Sequence, residues 1–538
     1  MSETISRNGR GVSIGYAIGS VHIYERNSRR APKRKITDVD AELVRYENAK
    51  EAAVKQLQTV YGKKSEKTAS VSAEILMAQS MILQDEEFNS LVRKNIIQEN
   101  RNAEWAVSET SRYFYEVFNS INDESVNAKT TDLKDVANKL IRLLTGDDSS
   151  INISKPSILV SKDINPSELI QMNKDNLLGI IMQEGSNYSH TVILAKAMGI
   201  PVVLGVKVAK SWNGNKAIVD GTHGQVYINP DDELMHEYES LINAEEERKR
   251  ILREMIGKET VTSQGEKISL YANIGDMQGA KRAMANDCEG IGLMRTEFLF
   301  LNRETLPTED EHYNAYKEIL KICNGKHVVF RTFDLGADKR FASMPTEPEE
   351  NPALGMRAIR TSLTNKDMFI AQVKGILRAA CHGDVAIMYP MITSVDELNR
   401  VSEVISEAKA ELEAEGIPYG EISTGIMIET PAAAMISDEL AKNVDFFSIG
   451  TNDLTQYTLA MDRVNSQLVD FYNPYHEAVM KLIEMTIKNA HKAGIKVALC
   501  GELAADINIT RRLIDMGIDE LSVSSKYILQ LREHIRKL

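Results

Sequence analysis

Cysteine is scarce. The chain of 538 residues has four, Cys288, Cys323, Cys381 and Cys500, none spaced as a CxxC pair and none grouped with histidine at zinc-ligand spacing. That excludes a disulfide-stapled secreted scaffold and a zinc ribbon, and suits a reducing, cytoplasmic setting. Long apolar runs are missing too: none approaches the roughly 20 residues that span a bilayer, and the opening MSETISRNGRGVSIGYAIG lacks the apolar core of a signal peptide. Positive charge is in deficit, with 64 Lys and Arg against 77 Asp and Glu, a net charge of −13. Such a balance is poor for binding nucleic acid in bulk, although a local anion pocket needs only a few residues. What is present, 43% hydrophobic and 26% charged residues, is ordinary globular composition. The expectation is a soluble cytoplasmic protein with no nucleic-acid partner and no membrane insertion.

The texture changes along the chain. Gly11 to Tyr24 is apolar and broken by glycine, as in one or two strands. From Asp38 to Leu144 proline is absent and Leu43, Tyr46, Ala49, Ala53, Leu57 and Val60 recur at three and four, which predicts a helical hairpin or bundle ended at Gly146. Between Ile153 and Asn229, apolar runs at 157–161, 179–183, 201–206, 216–221 and 225–230 alternate with a helix-like HTVILAKAMG, an α/β domain. A charged helix follows from Asp231 to Gly257 and reads as a linker. The remainder holds eight apolar runs, at 268–274, 290–296, 327–333, 385–392, 423–429, 445–451, 496–502 and 520–524, with helix-period segments between most of them. That is the count of a (β/α)8 TIM barrel. The expected boundaries are 1–35 with 146–230 for the α/β domain, 36–145 for the inserted helices, 231–258 for the linker and 259–538 for the barrel.

Barrel chemistry sits at the C-terminal ends of the strands. There the sequence places Arg295, Arg331, Glu429, Asn452, Asp453 and Cys500, with Arg463 shortly after. Guanidinium forks match phosphate or carboxylate bidentately. Glu429 and Asp453 suit a Mg²⁺ that keeps several waters and takes substrate oxygens as its other ligands. Together they describe a pocket for a small phosphorylated carboxylic acid; the plainer reading is a set of isolated strand-end ion pairs. Cys500 reads either as a small buried hydrophobe or as a thiol whose pKa is lowered by nearby cations. Outside the barrel, His190 opens a helix after the turn Gly185-Ser186-Asn187. Free backbone N–H groups there can hold a phosphoryl group on the ring, and neutral imidazole is a competent nucleophile toward phosphorus.

Ser189-His190-Thr191, LMRTEFLF (293–300), Arg331-Thr332-Phe333-Asp334-Leu335-Gly336 and DFFSIGTNDLTQYTLAMDR (445–463) resemble the phosphoenolpyruvate-protein phosphotransferases, the Enzyme I family of the bacterial sugar phosphotransferase system. The resemblance covers essentially the whole chain in domain order. It implies that His190 is phosphorylated on a swivelling domain, that Arg295, Arg331, Asn452, Asp453 and Arg463 bind phosphoenolpyruvate (PEP), that Glu429 and Asp453 bind Mg²⁺, and that Cys500 protonates the enolate to pyruvate. It further implies transfer to a histidine-containing phosphocarrier (HPr-like) protein docked on the helical domain, and a homodimer through the barrel. The chain departs from the family pattern at Asn187, Tyr188, Lys196 and Gln79, the last standing where the family usually has a histidine. Pyruvate phosphate dikinase and PEP synthase share the histidine domain and barrel but need a nucleotide domain for which this chain has no room. A phospho-regulatory scaffold without catalysis would not need the Arg, Glu, Asp and Cys set.

Overall fold

The computed structural model describes residues 4–24, 33–62, 79–119, 124–146, 153–185, 189–300, 303, 305–334, 349–463, 465–468 and 470–538. Asn187, Tyr188, Leu335 and Gly336 lie outside the described residues, as does the side chain of His190. The chain forms two compact units, 1–248 and 249–538. Among the described residues no helix is long and apolar enough to cross a membrane.

The first unit is built on one mixed sheet of eight strands: β1 (Ile5–Asn8), β2 (Arg10–Ser13), β3 (Tyr16–Tyr24), β4 (Ser157–Ser161), β5 (Leu177–Met182), β6 (Val202–Leu204), β7 (Lys216–Asp220) and β8 (Gln225–Ile228). Their order is β1-β8-β7-β3-β4-β5-β6-β2. Strands β3 to β6 run parallel, and β4 to β6 are buried on both faces. This explains why SILVS and LLGIIM read as unbroken apolar runs rather than alternating ones. Leu159 and Ile180 face one core, Ile158, Val160 and Ile181 the other.

Neighbouring strands β3 and β4 are separated in sequence by the helices Val39–Gly62, Glu86–Glu99, Ala103–Asn119 and Glu124–Thr145, so the helical region is an insertion into the sheet domain. Its core (Tyr46, Ala49, Ala53, Ile96, Leu140) is continuous with the sheet core. Gly146 follows at φ +65°, the left-handed conformation that ends a helix without penalty only at glycine. The charged helix Asp232–Arg253 buries only Met235 and Tyr238, and Tyr238 donates to Asp220 at 2.9 Å.

The second unit is a closed parallel barrel of β9 (Ser269–Ile274), β10 (Gly290–Arg295), β11 (Val328–Arg331), β12 (Val385–Tyr389), β13 (Ser423–Ile428), β14 (Phe446–Gly450), β15 (Lys496–Cys500) and β16 (Glu520–Ser524). All eight apolar runs read from the sequence are strands. Side chains alternate across each of them: Leu293, Val329, Ala386, Met388, Met427 and Cys500 fill the interior, while Ile291, Val328, Ile387, Ile426 and Leu499 pack outward against the helices.

One outer helix buries a titratable group. His312, on Glu309–Cys323, is fully buried with Nδ1 2.9 Å from the Tyr316 hydroxyl. Burial, aided by Arg303 and opposed by Glu311, pushes its pKa down to about 3. The unfolded chain then binds a proton that the folded chain refuses, so stability is full above pH ~6.5 and is lost as pH falls below it. The protein is expected to be about 2 kcal/mol less stable at pH 5 than at pH 7 through this group alone. Urea midpoints of wild type and His312→Gln over that range check it: the two pH profiles must diverge below pH ~6.5.

Candidate active site

Strand ends β10, β11, β13, β14 and β15 lie at one mouth of the barrel, and their polar side chains form an ion-pair network. Arg331, at the end of β11, bridges Glu297 and Asp334 at 2.7 Å each. Asp334 also pairs with Arg357 at 3.1 Å, and Arg357 reaches Asp453 at 3.3 Å and the Tyr457 hydroxyl at 3.0 Å. Glu429, just past β13, accepts from the Met391 N–H at 2.7 Å. Asn452 and Asp453 lie in the first turn of the helix Thr451–Leu459, and Asn452 Oδ1 accepts from the Glu502 N–H at 3.0 Å. Gly501 has φ +99°, and a Cβ there would sit 2.4 Å from Thr451 Oγ1, so only glycine lets the end of β15 close on that helix.

The network has donors to spare. Arg331 Nε, Arg357 Nε and Thr332 Oγ1 are buried with no hydrogen-bond partner. Buried N–H groups left open are costly unless a ligand completes them. Two more features mark a site held under strain: Met391 and Ala358 sit at φ +58° and +53°, unfavourable for side chains with a Cβ. One delivers the N–H to Glu429, and the other directly follows Arg357.

Charge explains what the pocket needs. Arg331 and Arg357 face Glu297, Asp334, Glu429 and Asp453, two cations against four carboxylates. Arg295 adds to the field at Asp334 and Cys500. The Asp334 carboxyl is buried, yet Arg331 and Arg357 hold it below the usual carboxylate range. Glu429 goes the other way: burial first, then Asp453 and Asp334, push its carboxyl well above that range despite the two arginines. A buried carboxylate beside two others fits a cation-binding position. Among the described residues no group of three or more His, Cys, Asp or Glu side chains is gathered for a metal. Glu429 and Asp453 are the carboxylates that could hold an ion such as Mg²⁺, which takes one or two carboxylates and keeps several waters.

Of the two readings open for Cys500, the geometry favours the buried one: burial inside the barrel dominates and pushes the thiol up to about 11, with Ser448 and the arginines only partly offsetting it. The thiol is protonated at neutral pH, the state an acid requires and a nucleophile does not.

Arg295 and Arg463 are exposed and stand outside the ion-pair network among the described residues; the Arg463 N–H donates to Gln456 Oε1 at 3.2 Å. Arg357 was not singled out from the sequence: it lies beyond the end of β11, on no strand end and in no periodic pattern. In the other unit, His190 is the first residue of the helix His190–Met198, capped by Ser189 Oγ, which accepts from the Val192 N–H at 3.4 Å. Thr191 Oγ1 donates to the Ile164 carbonyl at 2.7 Å and ties that helix to the sheet domain. Lys196 is exposed on the last turn. Gln79 is buried and donates to Asp135 at 3.2 Å, so this departure falls in the interior of the helical insertion rather than on its surface.

Comparison with known proteins agrees with this architecture. The family model described as PEP-utilising enzyme, PEP-binding domain matches residues 249–538, the N-terminal model of the same enzymes matches 8–129, and their mobile-domain model matches 153–224. The fold and its strand-end chemistry thus define the class, a PEP-utilising enzyme. The phosphoenolpyruvate-protein phosphotransferase of Geobacillus stearothermophilus is 39% identical over 540 residues, covering 99% of this chain and 93% of that protein. Those of Haemophilus influenzae and Bacillus subtilis are 39% and 37% identical, each over 98% of this chain and 93% and 94% of theirs. The chain belongs to the phosphoenolpyruvate-protein phosphotransferase family and is a transferase.

Proposed function

We propose that the protein transfers the phosphoryl group of PEP to His190 and from there to a histidine of a small HPr-like phosphocarrier, releasing pyruvate as the first step of a sugar phosphotransferase system. The observation that supports this most is the pair of buried guanidinium groups, Arg331 and Arg357, each with an open Nε–H, set among carboxylates at the barrel mouth. Phosphoryl transfer passes through a loose, highly charged transition state, so positioning and charge neutralisation do most of the work. In this reading Arg295, Arg331, Arg357, Asn452, Asp453 and Arg463 hold PEP.

Glu429 and Asp453 would hold Mg²⁺. Bound there, the ion would supply positive charge to offset the carboxylates and a trianionic substrate. Cys500, protonated and inside the barrel, gives the enolate its proton. His190 opens its helix beside free backbone N–H groups that favour an anion. To serve both PEP at the barrel rim and the carrier, the unit bearing His190 would meet them in turn, and domain motion of that kind often limits turnover. The helical insertion is the docking surface for the carrier, and the barrel unit makes a homodimer in the cytoplasm.

Incubation of the full chain with PEP labelled in its phosphoryl group, together with Mg²⁺, tests this reading. An acid-labile, base-stable label is expected on His190, and loss of at least about a thousandfold in labelling rate in His190→Ala, since no other nucleophile replaces it. Label retained in that variant, or labelling that requires ATP, would overturn the reading.

A further inference from the structure

Cys500 ends β15 with its sulfur inside the barrel, among Leu293, Val329, Met388 and Met427. Two polar groups meet it, both from the neighbouring strand β14: the Ser448 hydroxyl and the Ile449 carbonyl oxygen, each at 3.4 Å. Their chemistry differs. A carbonyl only accepts, so it can face the thiol through S–H but opposes a thiolate. The hydroxyl can donate to the sulfur in either state. Ser448 is 1% exposed in an otherwise apolar strand, FFSIG. A buried hydroxyl there is unfavourable unless it is hydrogen-bonded, and the partner it has is the Cys500 sulfur.

We propose that Ser448 is a positioning residue for Cys500: its hydroxyl orients the thiol and donates the hydrogen bond that holds the thiolate left after proton transfer. The inference rests on the reading of Cys500 as the proton donor. In that step the S–H bond breaks and its electrons stay on sulfur. The enolate pair forms the new C3–H bond of pyruvate as C2–O becomes a carbonyl, and water later returns a proton to sulfur. Charge develops on a buried sulfur with Glu429 nearby and with Arg331 and Arg295 as the cations that act on it. A hydrogen bond to an ionised group is roughly twice as strong as one to a neutral group. The Ser448 bond is therefore stronger after the step than before it, which is what speeds the step rather than merely binding substrate.

The test uses the full chain in single turnover with PEP and Mg²⁺, following pyruvate formation, so that no carrier is needed. Ser448→Ala is expected to slow the rate constant on the order of tenfold to a hundredfold, with half-saturating PEP within about threefold of wild type and Ser448→Thr restoring most of the rate. A rate within about twofold of wild type, a loss shared equally by half-saturation, or failure of the threonine variant to restore it would overturn the assignment. If the alanine and threonine variants do not fold, Ser448→Cys, which keeps the volume but donates weakly, must show the same fall. Cys500→Ala separates the two readings. Pyruvate formed at the wild-type rate by that variant removes the proton donor, and Ser448's role with it. A large loss there with a silent Ser448→Ala removes Ser448 alone.

Discussion

Arg331→Met is expected to destabilise the barrel unit by about 3–5 kcal/mol and to lower kcat/KM for PEP by about a thousandfold or more. Both effects have one origin. Arg331 bridges Glu297 and Asp334 at 2.7 Å each, and all three side chains are almost wholly buried. Without the guanidinium, Glu297 keeps no cation within ion-pair distance among the described residues, and Asp334 retains only Arg357. Breaking a buried pair from one side leaves uncompensated charge, far costlier than losing an exposed pair. In the proposed reading the substrate would also lose one of its buried cationic donors.

Arg331→Lys separates the effects. It keeps the charge but cannot fork between two carboxylates and still present a free N–H. About half of the stability is expected to return, while activity stays at least about tenfold down. Urea denaturation and steady-state turnover measure the two quantities. A methionine variant with wild-type midpoint and turnover would show that the ion-pair network is ornamental.

The barrel was legible because its eight strands are short apolar runs at regular spacing, and a parallel barrel buries both faces of each strand. The strand-end polar residues followed once strand order was known, since chemistry sits at the C-terminal ends. Arg357 was not legible, because it enters the site from a segment beyond β11 with no periodic pattern, at the turn where Ala358 takes φ +53°. Positive φ at alanine leaves no signature in a sequence. The ionisation of Cys500 stayed open for a different reason. The sequence suggests both a buried strand-end thiol and neighbouring cations but not which of them dominates, and here burial outweighs the cations. Ser448 is visible only as a polar letter in an apolar strand; that its hydroxyl meets a sulfur depends on the pairing of Gly450 with Cys500, a register that only the folded barrel defines. Gln79 shows the same limit: the sequence marks it as a departure from the family pattern, but that it is buried against Asp135 emerges only from the folded helices.

Glu429→Gln should abolish PEP-dependent labelling of His190, by about a thousandfold or more, and at the same time make the metal-free protein more stable. The two signs are opposite if, as proposed, the carboxylate serves a cation rather than the fold. Its carboxyl is pushed well above its usual range, first by burial and then by Asp453 and Asp334. An acid whose pKa is raised on folding is destabilising once the unfolded chain ionises: stability is intact below about pH 4.3 and is lost as pH rises from there toward the folded value. Glutamine removes that penalty and keeps an oxygen to accept the Met391 N–H, which Glu429 takes at 2.7 Å. A gain of 1 kcal/mol raises Tm by about 2–4 °C in a unit of this size, so a rise of a few degrees at pH 7.5 is expected in the presence of a chelator. Addition of Mg²⁺ should raise the Tm of wild type by mass action and leave that of Glu429→Gln almost unmoved. A variant that melts below metal-free wild type, or that still responds to Mg²⁺ as wild type does, would show that Glu429 holds the barrel together and not the metal.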